Sequence, residues 1–246
     1  MAEMDSASPM TSSVNETRAQ VKGLWWKGFA GLWMCTAILM AFLKIGPAEG
    51  FGMSGHGAKI LFFHLPCAWL ATIAYVVAAC YAVSCLRRWS QGWAAVREAD
   101  EKCCAAMELG FLYAVLTTVT GSIFAHNEWG SYWNWDPRET TVVILLLILA
   151  AYLVLRGGVV DPEARGRLSA AYVLISIIPA LFLIWVVPRI LVTLHPNSAV
   201  VGGGLSKNFR LVFYGFAMPA HILYFVWLFQ LKVRAANLIN SCEVAP

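Results

Sequence analysis

Six stretches of the chain stay apolar over the distance needed to cross a hydrocarbon core, which takes about 20 residues of helix. They run from Phe29 to Ile45, Ile60 to Leu86, Met107 to Ala125, Pro137 to Leu155, Leu168 to Val187 and Leu211 to Leu231. The short alternating segments of a membrane barrel are absent, so helices are the structures that satisfy these backbones in lipid. The expected fold is all-α, a polytopic membrane protein of six transmembrane helices. The opening MAEMDSASPMTSSVNETRAQVKG is polar, rich in Ser and Thr and without hydrophobic periodicity. Residues 1–24 are therefore expected as a disordered cytoplasmic tail, and residues 25–246 as one six-helix domain. The tail is too long and too acidic for a secretory signal, and the first apolar run reads as an uncleaved span.

Composition points the same way. Of 246 residues, 59% are hydrophobic and 13% charged, with a mean hydropathy of +0.65, which argues for lipid as the solvent. A net charge of +4 would suggest anionic partners in a soluble protein. Here the basic residues fix orientation instead, and nucleic-acid binding is not expected. Twelve Lys and Arg residues fall in the N-terminal tail, the second and fourth connections and the C-terminus, against six on the opposite side. The positive-inside rule then puts both termini in the cytoplasm and turns the loops after the first, third and fifth spans outward. The seven cysteines form neither CxxC nor CxxCH, which argues against a disulfide framework, a zinc site and covalent haem attachment. Cys103 and Cys104 are expected in a charged loop.

This parity brings distant residues to one surface. The stretch WGSYWNWDPRET, Trp129 to Thr140, lies in the outer loop between the third and fourth spans. His64, near the outer end of the second span, and His195, in the loop from Pro188 to Arg210, share that face. Part of the stretch is a helix start: Asp136 as cap, Pro137 at the first helical position and Glu139 as the reciprocal partner. Trp129, Trp133 and Trp135 fit an interfacial aromatic belt. With Tyr132, Gly130, Ser131 and Asn134 they equally fit a flat aromatic floor for a conjugated ligand, and both readings stand on the residues alone.

His64 and His195 are either hydrogen-bonded packing residues or imidazole ligands above and below the iron of a planar macrocycle. In the second case Arg138, Lys59, Arg189, Lys207 and Arg210 are outward cations available to its carboxylates. His56 and His126 also face outward as alternative ligands. His221 falls near mid-membrane, where a histidine marks a functional site or a neutral side chain bonded to a neighbouring helix.

WGSYWNWDPRET resembles the tryptophan-rich WWD signature of haem-handling proteins. Together with FFHLPCAW entering the second span and LVTLHPNS in the last outer loop, it is similar to the CcmC family of ABC-transporter-linked cytochrome c maturation. The resemblance implies that a WWD loop, residues 126–140, holds the haem-contacting segment with Trp129, Gly130, Tyr132, Trp133, Trp135, Asp136 and Pro137. It implies His64 and His195 as axial ligands of non-covalently bound haem b, a transported cargo. The implied partners are a CcmE-type haem chaperone, the transporter subunits CcmA and CcmB, and the small membrane subunit CcmD, in a bacterial inner membrane with the haem site periplasmic. On this resemblance the chain is a carrier more than a catalyst, and it contains no P-loop. The wording NEWGSYWNWDPRET also resembles CcsA-type synthetase subunits. The rivals are such a subunit, a b-type haem redox subunit, or a transporter subunit that binds no cofactor.

Overall fold

The computed structural model describes the backbone of residues 9–46, 57–195 and 206–244, and side chains over 23–46, 59–195 and 206–239. The chain forms α1 (Pro9–Leu43), α2 (Leu61–Arg87), α3 (Trp93–Trp129), α4 (Pro137–Gly158) and α5 (Pro162–Leu181). A π-helical turn, Phe182–Val186, carries α5 into the short α6 (Val187–Ile190). A second, Phe213–Ala217, joins α7 (Lys207–Val212) to α8 (Met218–Val244). Six helical segments, from Gly23–Leu43 to Lys207–Ile239, are long and apolar enough to cross a membrane, and the described residues contain no strand. The all-α, six-span expectation is met.

Two boundaries differ from the hydropathy reading. Helix α1 reaches back to Pro9, through part of the stretch expected as a tail, while residues 1–8 lie outside the described residues. Helix α3 begins at Trp93, not Met107, and its 37 residues extend for about 55 Å at 1.5 Å per residue. Its first turns are charged because their charges are paired in place. Glu98 bonds Lys102 at 2.6 Å and Arg97 approaches Glu101 at 3.5 Å, both one helical turn apart. Asp100 takes both terminal nitrogens of Arg156 on α4, at 2.9 and 2.6 Å. Cys103 and Cys104, expected in a loop, are therefore helical, and Cys103 is buried.

Helices α2 and α3 form the most intimate pair. Small residues permit this. Ala74, Ala78 and Ala82 recur every fourth position of α2, and a Cβ on Gly110 of α3 would sit 3.5 Å from the Ala74 Cβ. Close backbone approach through small residues supplies the dispersion contacts that hold helices together in lipid. Helix α5 is tied in by polar links: the Tyr75 hydroxyl donates to Ser176 at 2.6 Å, and the Tyr172 hydroxyl to the Ile148 carbonyl of α4 at 2.9 Å.

The buried apolar residues divide into two clusters. The larger runs through α2, α3, α4 and α5 toward the end where α2 finishes and α3 begins. The smaller gathers Ala41 of α1, Leu61 and Phe62 of α2, Phe124 of α3, and Phe209 and Phe213 at the start of the last span, with Trp129 packed against it. That second cluster marks the loop end of the bundle, where α1, α3 and α6 finish and α2, α4 and α7 begin.

Candidate functional site

The site is built on the loop end, and its first element is the turn from α3 to α4. Gly130 closes α3 in the left-handed region (φ +79°), where a residue without Cβ is unstrained, and donates its N–H to the His126 carbonyl at 3.0 Å. The chain then bends so that Glu139 Oε2 accepts from the Asn134 N–H at 2.8 Å and the Asp136 N–H at 3.3 Å. Asp136 accepts from the Arg138 N–H at 2.9 Å, completing the reciprocal cap, with Pro137 as the first helical residue. The helix-start reading of Asp136, Pro137 and Glu139 is thus correct.

Asp136 does more than cap. Its carboxylate side chain is fully buried, and it accepts the Thr193 hydroxyl at 2.8 Å, the Leu194 N–H at 2.6 Å and His195 Nδ1–H at 3.0 Å. Burial works to raise its pKa, but the hydrogen bonds from Leu194, Arg138 and Thr193 and the His195 ring outweigh this and hold the carboxyl below its ordinary value. His195 is also lowered, by burial first, with Asp136 acting in the opposite sense. At neutral pH the pair is a carboxylate beside a neutral imidazole whose proton sits on Nδ1. The Nε2 lone pair is left free, the form in which histidine ligates a metal, with a carboxylate orienting the ring from behind.

His64, in the first turn of α2, is held in the same sense by different groups. Its Nδ1 lies 3.1 Å from the Thr117 carbonyl and 3.2 Å from the Thr120 hydroxyl of α3. A carbonyl only accepts, so Nδ1 carries the proton and Nε2 is again free. Gly121 makes room for this ring, since a Cβ there would stand 2.9 Å from His64 Cε1. Phe124, one turn along α3, stacks with His195 at a centroid distance of 6.5 Å. Residues three apart share a helix face, so α3 presents both imidazoles on one side, one turn apart.

The tryptophans of this loop meet their neighbours edge to face, Trp129 against His195 and Trp133 against Trp135. Trp129 meets His195 at 4.9 Å and 71° and Phe124 at 5.6 Å and 87°. Trp133 and Trp135 stand at 88° to each other, 6.0 Å apart. These are edge-to-face arrangements, the geometry that ring quadrupoles favour, and they make an angular wall. Trp135 is 78% exposed with φ +56°, a left-handed conformation uncommon for a bulky residue. Tyr132 stacks flat on His126 at 4.1 Å, and both are exposed.

The remaining candidates separate. Lys59 donates to the Phe42 carbonyl, Arg189 to the Trp185 carbonyl, and Lys207 and Arg210 are exposed at the start of α7. Arg138 is half-buried with its Nε unpartnered, a buried donor in reserve. His56 lies outside the described residues. His221 donates Nδ1–H at 2.8 Å to Ala217 at the end of its own π-helical turn, rather than to a neighbouring helix, with Phe63 edge-on. Among the described residues no group of three His, Cys, Asp or Glu side chains is placed to hold a metal ion by itself. Sequence reasoning missed Thr117, Thr120, Gly121, Phe124 and Thr193. The one available signal was a glycine inside a spanning helix, which marks a close approach.

A family model described as Heme exporter protein C matches residues 7–245. The heme exporter protein C of Bradyrhizobium diazoefficiens is 31% identical over 203 residues, covering 78% of this chain and 74% of that protein. That of Paracoccus denitrificans is 25% identical over 209 residues, 83% of each. The cytochrome c biogenesis protein CcsA of Marchantia polymorpha is similar over a shorter stretch, 41% identical across 61 residues, 25% of this chain and 19% of that protein.

Proposed function

The chain belongs to the heme exporter protein C family, and from that membership we propose that it binds haem b non-covalently at its loop end and presents it to a CcmE-type haem chaperone. The acceptor works outside the membrane, with CcmA, CcmB and CcmD as fellow subunits of the complex. The excess of Lys and Arg on the opposite side supports cytoplasmic termini and a periplasmic site in a bacterial inner membrane.

One observation carries this reading. Two histidines from distant parts of the chain each have Nδ1 engaged and Nε2 free, on one face of α3, with Trp129 against His195. Haem iron takes such nitrogens as axial ligands. The residues fit the cargo in other respects. Gly121 leaves out the one carbon that would push His64 aside, Trp129, Trp133 and Trp135 supply ring edges and faces, and Arg138 has a donor for a propionate. The left-handed conformation of Trp135 holds an indole out in the open, a strained posture that suits contact with cargo or acceptor.

The test is transfer. Full-length protein is purified with its partner subunits and offered a CcmE-type chaperone, and haem is followed by absorbance and by covalent haem on the acceptor. Wild type carries haem and passes it on, whereas His64→Ala and His195→Ala do not pass it at the wild-type rate. A colourless wild type, or undiminished transfer by both variants, overturns the proposal.

A further inference from the structure

The two imidazoles are anchored very differently. His64 is part of a spanning helix, and its ring is fixed by the Thr117 carbonyl, the Thr120 hydroxyl and the flat approach of Gly121, all on the helix packed most closely against its own. His195 lies on the non-helical segment that begins where α6 stops, at Leu191. Past the Leu191 N–H, bonded to the Val187 carbonyl, the polar links of Thr193, Leu194 and His195 to other described elements end on the Asp136 carboxylate: Thr193 Oγ1, Leu194 N and His195 Nδ1. Thr193 Oγ1 also accepts the His195 N–H at 3.1 Å, so it couples backbone to latch. The flanking Val192 and Leu194 are 96% and 54% exposed, so apart from the His195 ring itself, which meets Trp129 and Phe124, the carboxylate carries the attachment.

From this asymmetry we propose that the two ligands have separate tasks, a reading that rests on the axial-ligand assignment above. His64 is the resident ligand, His195 is the exchangeable one, and Asp136 with Thr193 is the latch that sets how readily His195 leaves. During handover the Fe–Nε2 bond to His195 breaks as a bond to a nitrogen or oxygen donor of the acceptor forms, with the iron's oxidation state unchanged. Asp136 and Thr193 are positioning residues, acting on the iron through His195. Concentrating these three polar tethers on one side chain lets His195 leave the iron without disturbing α2 or α3.

The experiment uses the full chain loaded with ferric haem in detergent or nanodiscs, with cyanide and imidazole as probe ligands. His195→Ala is expected to keep haem within about twofold of wild type, as a five-coordinate high-spin species that added imidazole returns to low spin. His64→Ala is expected to retain at least about tenfold less. At saturating cyanide, where displacement is limited by loss of the protein ligand, Asp136→Asn and Thr193→Val are expected to react at least about fivefold faster than wild type. Thr193→Val leaves the α4 cap intact, so a result from it is free of any effect on the helix start. Retention of five-coordinate haem by His64→Ala with loss from His195→Ala overturns the division of tasks while leaving the ligand assignment standing. Exchange within about twofold of wild type in Thr193→Val and Asp136→Asn overturns the latch. A low-spin spectrum unchanged in both alanine variants shows instead that the ligand assignment itself is wrong.

Discussion

The far end and the loop end of the bundle use charge for different purposes. At the far end each acid of the early α3 turns meets a Lys or Arg: Asp100 with Arg156, Glu101 with Arg97, Glu98 with Lys102, and Glu108 with Lys232 of the last span. At the loop end the buried Asp136 carboxylate instead accepts a hydrogen bond from a neutral ring, that of His195. The small-residue packing of α2 on α3 belongs to the larger cluster, while the loop-end cluster is mostly aromatic. One end holds helices together, and the other leaves nitrogen lone pairs and ring faces unfilled.

The sharpest way to break this contrast is to remove one member of each buried pair. Asp100→Ala leaves Arg156 uncompensated and is expected to cost about 3–5 kcal/mol, seen as lost thermal stability and abundance. Replacing both Asp100 and Arg156 with apolar residues of similar volume should recover most of it. Asp136→Asn at the loop end is expected to cost no more than about 2 kcal/mol, because Asn remains a good helix cap and one charged hydrogen-bond set is lost. Its main effect should fall on the haem spectrum. Equal stability losses in thermal melts of the two variants would erase the distinction.

Two glycines give a smaller, matched comparison. A Cβ at Gly166 of α5 would stand 2.6 Å from the Trp93 ring, so Gly166→Ala should cost about 1–3 kcal/mol by overpacking with haem affinity unchanged. Gly121→Ala meets His64 instead and should weaken haem binding about tenfold, or about 1.4 kcal/mol, measured by titration, with a smaller change in melting. Smallest in stability is Trp135→Gly. It relieves a left-handed indole residue and should leave stability unchanged or raise it by about 1 kcal/mol. Haem transfer to the chaperone should nonetheless fall, and normal transfer would remove Trp135 from the site.

Much of the fold was legible because lipid imposes a simple rule on length and polarity. Six spans follow from hydropathy, and the capping box from the spacing of Asp136, Pro137 and Glu139. The extension of α3 back to Trp93 was not, because charges that look solvated in sequence are paired at i,i+4 or across to Arg156, 56 residues away. The two π-helical turns also left no hydropathy signal. At the site, His64, His195 and the tryptophans stood out as residue types with chemistry of their own. The groups that orient them did not, because a threonine carbonyl, a missing Cβ and a hydroxyl 57 residues from its carboxylate act through position. The crossed tryptophan rings show the same limit, since composition counts faces and says nothing of their angles.

Electron paramagnetic resonance of the ferric, haem-loaded full-length protein tests the central claim most directly, because it reads the spin state that two imidazole ligands impose. The account predicts a low-spin signal in wild type that disappears in His64→Ala and in His195→Ala taken singly. A low-spin signal of wild-type intensity in both variants would contradict it.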